Sequence, residues 1–262
     1  MLKRFKICKF KTTIKSNKIR MFENVLDWEH LPHVHPTSFT SIKLLEKENT
    51  SLRCKVGLWP PFLGLNQEIY MRSSMRRNIW TVNVRKGFMK GLCVHSKMKE
   101  LHGDEISVDI DFYIPKEKFY YYLLSPLLWL SYLKIYKEDS DMMIERQAQL
   151  DKFKNSSLEG RNIIELGTKE KVIEKLPFSF DLKGHKFALD YLDGKLRAYD
   201  VICPHMLRDL SDVKVKNGEI TCPWHDYSFS LKTGCSRSND LKLKNAPKIL
   251  ELDGVLFAEA SL

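Results

Sequence analysis

Two short stretches toward the C-terminal end constrain this chain more than any other feature: Cys203-Pro-His205, then sixteen residues, then Cys222-Pro-Trp-His225. They place two thiolates and two imidazoles in two short, similarly built loops, an arrangement that the surrounding chain must serve. Two Cys and two His also suit a tetrahedral structural zinc site, where the usual order is a Cys pair followed by a His pair. Here the order alternates. Alternation suits an iron–sulfur cluster in which thiolates hold one iron and neutral imidazoles the other, a substitution that removes negative charge and raises the reduction potential.

The flanking residues add to this. Cys203-Pro-His205 ahead of Leu210-Ser211, and Cys222-Pro-Trp-His-Asp-Tyr-Ser-Phe229 running into Thr233-Gly234, resemble the Rieske fold of ring-hydroxylating oxygenases and their ferredoxins. The resemblance implies a [2Fe–2S] cluster on Cys203, His205, Cys222 and His225. Respiratory-chain Rieske proteins carry a further cysteine in each loop, and those two form a disulfide. These loops hold only Cys203 and Cys222, so the likeness is to the lower-potential oxygenase type.

Residues 21–39 hold three of the eight histidines within six positions, which suggests a second metal. Asn24 is a plausible helix N-cap, with Val25, Leu26, Trp28 and Leu31 giving a partly apolar helix. His30 and His35 lie five apart, roughly 140° around a straight helix of 3.6 residues per turn. Pro32 and Pro36 disturb the helix, so the two imidazoles can meet at a helix end. This segment resembles the mononuclear-iron helix of Rieske non-haem iron oxygenases, Asn-x-x-Asp-x-x-His, four residues, then His, matched by Asn24, Asp27, His30 and His35. The resemblance implies that His30 and His35 ligate Fe(II), with His33 facing solvent or standing behind the ligands. It also implies that Asp27 links the iron to the cluster of a neighbouring subunit.

Two histidines and one carboxylate leave metal positions open for dioxygen and substrate. Glu138-Asp139, followed by apolar residues, Glu145 and Gln147, resembles the acidic helix that supplies that carboxylate in the family. Asp139 is the expected ligand and Asp141 the alternative. A plain acidic helix start would also be favoured by the helix dipole.

Between Ser38 and Ile114 several runs alternate or stay apolar: Ser41–Leu45, Ser51–Leu58, Asn78–Val84 and Ile106–Tyr113. Turn-like residues separate them, which implies an antiparallel sheet. Residues 117–136 are strongly apolar but broken by Ser125-Pro126 and Lys134, and are barely long enough for a bilayer. A buried or membrane-touching helix is expected there, not a span. A sheet wrapped round a long helix is the helix-grip (Bet v 1-like) fold that the family resemblance implies for the catalytic domain.

The polar, turn-rich residues 151–162 read as a linker. The expected organisation is therefore α+β, with a helix-grip domain at 1–155 and a small all-β Rieske domain at 156–262. In the second, Asp193-Gly, Asn217-Gly and Asp253-Gly mark tight hairpins. Phe180 and Phe229 read as core, and Trp224 and Tyr227 as neighbours of the cluster. Domain order departs from the family, whose Rieske domain usually comes first.

The chain has 262 residues, 43% of them hydrophobic, enough for two cores, and a formal charge of +10. No recognised nucleic-acid motif accompanies the lysines, so no nucleic-acid partner is expected. Six irregularly spaced cysteines make no disulfide scaffold, and Cys8, Cys54, Cys93 and Cys235 read as free thiols of a reducing, cytoplasmic setting. The first twenty residues, basic and free of acids, slightly resemble a mitochondrial leader.

Together these readings imply an oxygenase that hydroxylates, demethylates or desaturates a largely apolar small organic substrate with O2. No Gly-rich dinucleotide fingerprint follows a strand, so a separate reductase or ferredoxin is expected to supply electrons. The family implies a homotrimer. The competing reading is a Rieske electron-transfer protein fused to a helix-grip lipid-binding or small-molecule-binding domain that lacks the mononuclear iron.

Overall fold

The computed structural model describes residues 4–155, 162–192 and 194–260. It divides into two compact units, Met1–Ile144 and Glu145–Leu262.

Unit 1 begins with β1 (Arg4–Lys15), α1 (Lys18–Leu26) and α2 (Leu31–Val34). Six more strands follow: β2 (Phe39–Lys47), β3 (Ser51–Leu58), β4 (Asn66–Ser74), β5 (Ile79–Gly87), β6 (Cys93–Glu100) and β7 (Glu105–Pro115). A 3-10 segment, Lys116–Leu124, then leads into α3 (Ser125–Asn155). The strands form one antiparallel sheet in the order β1-β7-β6-β5-β4-β3-β2, a meander onto whose last strand β1 folds back.

The alternation in β7 explains which face is covered. Ile106, Val108, Ile110, Phe112 and Ile114 are at most 1% exposed, while the intervening residues from Asp109 to Tyr113 turn outward. Full burial of such side chains contributes about 1.5–3 kcal/mol each. The stripe they meet on α3 contains Leu128, Tyr132, Ile135, Tyr136 and Met143, spaced three and four apart as a helix face requires. Phe112 meets Tyr132 edge-on at 4.7 Å, and Phe10 of β1 lies 5.8 Å from Tyr136. A sheet closed over a long helix in this way is the helix-grip fold.

Several local expectations are corrected. Residues 4–15 of the basic N-terminal stretch, not foreseen as a strand, form the edge strand β1, paired to β7 from Arg4↔Pro115 to Lys15↔Glu105. A bulge between Lys6 and Cys8 interrupts its alternation, so the buried Ile7, Phe10 and Ile14 show no period of two. Strands β4 and β6 were not foreseen, because interior positions such as Gln67, Ser73 and Ser96 are polar yet buried. Asn24 caps nothing. The first helix starts earlier, with Asn17 accepting from the Arg20 N–H, and Asn24 lies inside it, buried. Ser125-Pro126 does not break a helix but begins one, since proline loses no hydrogen bond in a first turn. Residues 151–155, expected to open a linker, are the last turn of α3, and the division between the units falls within that helix. Residues 156–161 lie outside the described residues.

Unit 2 contains β8 (Ile163–Thr168), α4 (Lys169–Ile173), β9 (Phe178–Leu182), β10 (His185–Leu192) and β11 (Lys195–Asp200). After these come β12 (Glu219–Thr221), β13 (Ser228–Ser230), β14 (Lys248–Leu252) and β15 (Val255–Glu259). They form two three-stranded sheets, β11-β10-β9 and β14-β15-β8, and the hairpin β12-β13. The expected turns at Asn217-Gly218 and Asp253-Gly254 have positive φ at both residues, as a tight hairpin with right-handed strand twist demands. Lys183-Gly184 makes the same turn between β9 and β10 without an Asn or Asp to announce it. Asp193 lies outside the described residues. Phe180 and Phe229 are buried, as core residues should be.

Phe112 is fully buried and has no polar role. Phe112→Ala should therefore lower the stability of unit 1 by about 3–5 kcal/mol in urea unfolding followed by far-UV circular dichroism.

Candidate functional site

The first constellation lies in unit 1. Helix α2 is a single turn, with His30 immediately before it and His35 immediately after it. One short helix therefore separates two imidazoles that a continuous helix would have pointed apart, and their ring centroids lie 5.3 Å from one another. Asp139 enters from α3, on the same stripe as Tyr132, Tyr136 and Met143, so the helix face that fills the core also drives this carboxylate into it. His30, His35 and Asp139 are 2%, 0% and 6% exposed, and one donor atom from each lies within 4.8 Å of the others.

The geometry around these donors is specific. Asp139 Oδ1 lies 3.0 Å from His35 Nε2 and 3.3 Å from His30 Nε2, and accepts the Asn24 side-chain N–H at 3.1 Å. The opposite ring nitrogens face carboxylates of their own: His30 Nδ1 is 3.5 Å from Asp27, and His35 Nδ1 is 2.7 Å from Glu138. Carboxylates in that position fix ring orientation and raise ligand basicity. Burial opposes charging His30, but Asp139 and Asp27 outweigh it and hold the imidazole up at about 10. Burial likewise opposes ionising Asp139, yet His30 and His35 keep its carboxyl well below the usual range. This pocket is built to hold positive charge, and two imidazoles with one carboxylate are a donor set that a divalent metal fits.

Asp141 and His33 are exposed and are not part of the group. Glu138 and Asn24 were not assigned roles at this site from sequence. The one signal for Glu138 was its place beside Asp139, and Asn24 belonged to the matched pattern but read as a cap.

The second constellation lies in unit 2, at the tips of two loops that repeat one another. The bridge Ile202↔Asp209 closes the first loop and the pair Thr221↔Ser228 closes the second. Cys203 N–H donates to the Arg208 carbonyl and Leu207 N–H to the Cys203 carbonyl, both at 2.9 Å. Cys222 N–H donates to Tyr227 and Asp226 N–H to Cys222, again at 2.9 Å. The equivalent residues Leu207 and Asp226 have φ of 61° and 58°, the left-handed conformation that such a tight tip needs.

These tips bring the four donors together. Cys203, Cys222 and His225 are buried and His205 is half-buried. The rings of His205 and His225 are 4.3 Å apart at 82°, and Tyr227 lies within 5.6 Å of both. The two thiols interact strongly. The hydrogen bond from Cys222 eases ionisation of Cys203, and the backbone amides of His205 and Met206 add to this. The sulfur of Cys203 and burial then push Cys222 up, against the amides of Trp224 and His225. One negative charge sits easily between the sulfurs and a second needs cationic compensation, which a bound iron would supply.

The lead-in to the first tip is held by Asp200, which is buried. Its carboxylate accepts from the Ile202 N–H at 2.8 Å and the Lys244 N–H at 2.7 Å, and lies 2.8 Å from His185 Nε2. Trp224 is buried beside its neighbouring ligand candidate.

Residues 162–247 match the family model described as the Rieske [2Fe-2S] domain. The C-terminal unit is a Rieske [2Fe–2S] domain. A curated relative, the chloroplastic pheophorbide a oxygenase of Arabidopsis thaliana, is 37% identical over 65 residues, which cover 24% of this chain and 12% of that protein. Among solved structures, the ferredoxin of carbazole 1,9a-dioxygenase from Nocardioides aromaticivorans IC177 is 17% identical with a TM-score of 0.33, covering 38% of this chain and all (100%) of that one. The Zhui aromatase/cyclase from Streptomyces sp. R1128 is 7% identical with a TM-score of 0.47, covering 55% of this chain and 96% of that one. The Rieske domain supports a [2Fe–2S] cluster, and two thiolates with two imidazoles are the donor set it requires.

Cys203→Ser and Cys222→Ser should each abolish the visible absorption of the purified protein. Cys235→Ser, at an exposed thiol outside both tips, should leave the spectrum unchanged. An unaltered spectrum in Cys222→Ser would exclude Cys222 as a ligand.

Proposed function

We propose that the chain is a Rieske-type non-haem iron oxygenase. It would use O2 and externally supplied electrons to hydroxylate, demethylate or desaturate a largely apolar small organic substrate. The observation that supports this reading is the buried convergence of His30, His35 and Asp139 in a chain that also carries a Rieske domain. An electron-transfer protein would have no use for a second metal cradle.

In this reading Cys203, His205, Cys222 and His225 hold the cluster, and His30, His35 and Asp139 hold a mononuclear Fe(II). Iron bound by two imidazoles and one carboxylate supplies dioxygen activation, while the cluster supplies electrons singly. The protein's own contribution is positional. Glu138 holds His35 and Asp27 holds His30, so each imidazole presents Nε2 to the metal. Asn24 steadies Asp139 and keeps one of its oxygens from rotating away. The apolar side chains of the sheet and α3 keep water from the reacting atoms. Electrons come from a separate reductase or ferredoxin. A closed head-to-tail ring, a homotrimer, would let a cluster histidine of one chain approach Asp27 of the next.

Metal content tests this directly. Wild-type protein should carry about three iron and two sulfide per chain, and His30→Ala or His35→Ala about two iron with an unchanged cluster spectrum. Asp139→Asn should lose the same iron and Asp141→Asn should keep it. Two iron in the wild type would leave an electron-transfer protein fused to a small-molecule-binding domain.

Asp27→Asn keeps size and loses charge. Both centres should stay loaded in that variant while single-turnover cluster oxidation in rapid mixing slows by at least about tenfold. Oxidation at the wild-type rate would remove Asp27 from the electron path.

A further inference from the structure

One end of the sheet in unit 1 exposes apolar side chains that nothing described in the chain covers. The pairings Gly57↔Asn66, Gln67↔Gly87, Cys93↔Tyr113 and Arg4↔Pro115 place the β3–β4 connection, the β5–β6 hairpin, the exit of β7 and the start of β1 together at this end. The three connecting segments form one surface. Tyr121 meets Phe88 edge-on at 5.6 Å and donates its hydroxyl to the Phe88 carbonyl at 3.0 Å, while Lys118 donates to the Lys90 carbonyl at 3.1 Å. Met89 N–H reaches the Gln67 side chain at 3.3 Å, tying the hairpin to the strand that follows the β3–β4 connection.

On this surface the tips carry the largest apolar groups. Phe62 is 83% exposed, Leu123 75% and Phe119 66%, which describes side chains standing proud of the surface, not lining a groove. Trp59, Phe88 and Tyr122 stand beside them, each more than half exposed. Soluble monomers rarely leave so much contiguous apolar area in water. The charges among these tips are nearly all of one sign. Residues 85–90 and 116–124 contain Arg85, Lys86, Lys90, Lys116 and Lys118 against the one acid Glu117, with Lys86 paired to Glu68 of β4 at 2.8 Å, and the β3–β4 connection from Trp59 to Leu65 has no charge at all.

We propose that this end of unit 1, built from the β3–β4 connection, the β5–β6 hairpin and the 3-10 segment Lys116–Leu124, docks on an anionic phospholipid membrane surface. Protruding aromatic and leucine tips within a basic rim match the interfacial layer of a bilayer, where Trp, Tyr and Phe partition and anionic headgroups attract Lys and Arg. Other occupants fit less well. A second copy meeting this face across a two-fold axis would set lysines against lysines. A folded acidic protein could match the charge, but it would need pockets for tips that project from several separate loops. No helix among the described residues is long and apolar enough to cross a membrane, so the attachment is peripheral. The strap between α2 and β2 reaches the same end, with Trp59 N–H donating to the Ser38 carbonyl at 3.1 Å, so His35 lies three residues along the chain from the docking face. The proposal does not depend on the oxygenase reading.

Co-sedimentation of the full-length protein with vesicles tests it. Wild-type protein should bind phosphatidylcholine vesicles containing about 30% phosphatidylserine at least about tenfold more tightly than pure phosphatidylcholine, and should dissociate as salt rises. The pairs Phe62→Ser with Leu63→Ser, and Phe119→Ser with Leu123→Ser, replace exposed side chains, so each should keep the wild-type circular dichroism and lose at least about tenfold in vesicle binding. Lys116→Glu with Lys118→Glu should abolish the preference for phosphatidylserine. Wild-type protein that stays in the supernatant at every vesicle concentration overturns the proposal. So does self-association in sedimentation velocity, or binding to a reduced ferredoxin, that these same variants abolish in the absence of lipid.

Discussion

Asp139 sits where a leucine would ordinarily sit, on the stripe of α3 that packs against the sheet. An ionised carboxylate in that position is tenable only if its oxygens meet donors or cations, because desolvation of an unpaired charge costs several kcal/mol. His30, His35 and the Asn24 amide provide that compensation, and Asp27 and Glu138 in turn compensate the imidazoles. The result is a polar island held rigidly by an apolar core. Helix periodicity and sheet closure place Asp139, while the chain on either side of the single-turn α2 places His30 and His35.

The Rieske domain follows a different route to the same end. Its donors sit on two loops, yet each loop is a short tip pinned at its base by a backbone pair and closed by the same two hydrogen bonds. The amides of the second and third residues after each cysteine then point at sulfur. Hydrogen bonds of this kind stabilise thiolate and tune a cluster's potential. The tips differ only in whether the imidazole follows the cysteine by two residues or three, and within a common backbone turn that single step lets both rings project from the same end.

Charge is distributed in keeping with these two interiors. The acids that matter are buried or half-buried against histidines, while the lysine excess lies on outer strand faces and loop tips. In β1 that arrangement also protects an edge strand, since Lys6, Lys9, Lys11 and Lys15 resist pairing with another chain.

Much of this was legible in the residues themselves. The alternating order of Cys203, His205, Cys222 and His225, together with flanking residues that resemble the Rieske fold, pointed to the Rieske domain, because donor type, order and separation are local properties. Alternation in Ile106–Tyr113 and Ser51–Leu58 identified their strands for the same local reason. Tertiary structure decided the rest. Nothing local distinguishes Asp139 from Asp141, and only the face of α3 that meets the sheet buries one and exposes the other. Asn24 has a capping residue's chemistry, and what gives it another task is the approach of a helix 115 residues away in sequence. The edge strand β1 was hidden by its lysines and its bulge, since its place is set by pairing with β7, a partner that sequence periodicity cannot show. Local patterns fix what each segment offers, and long-range packing alone selects which of those offers are buried and brought together.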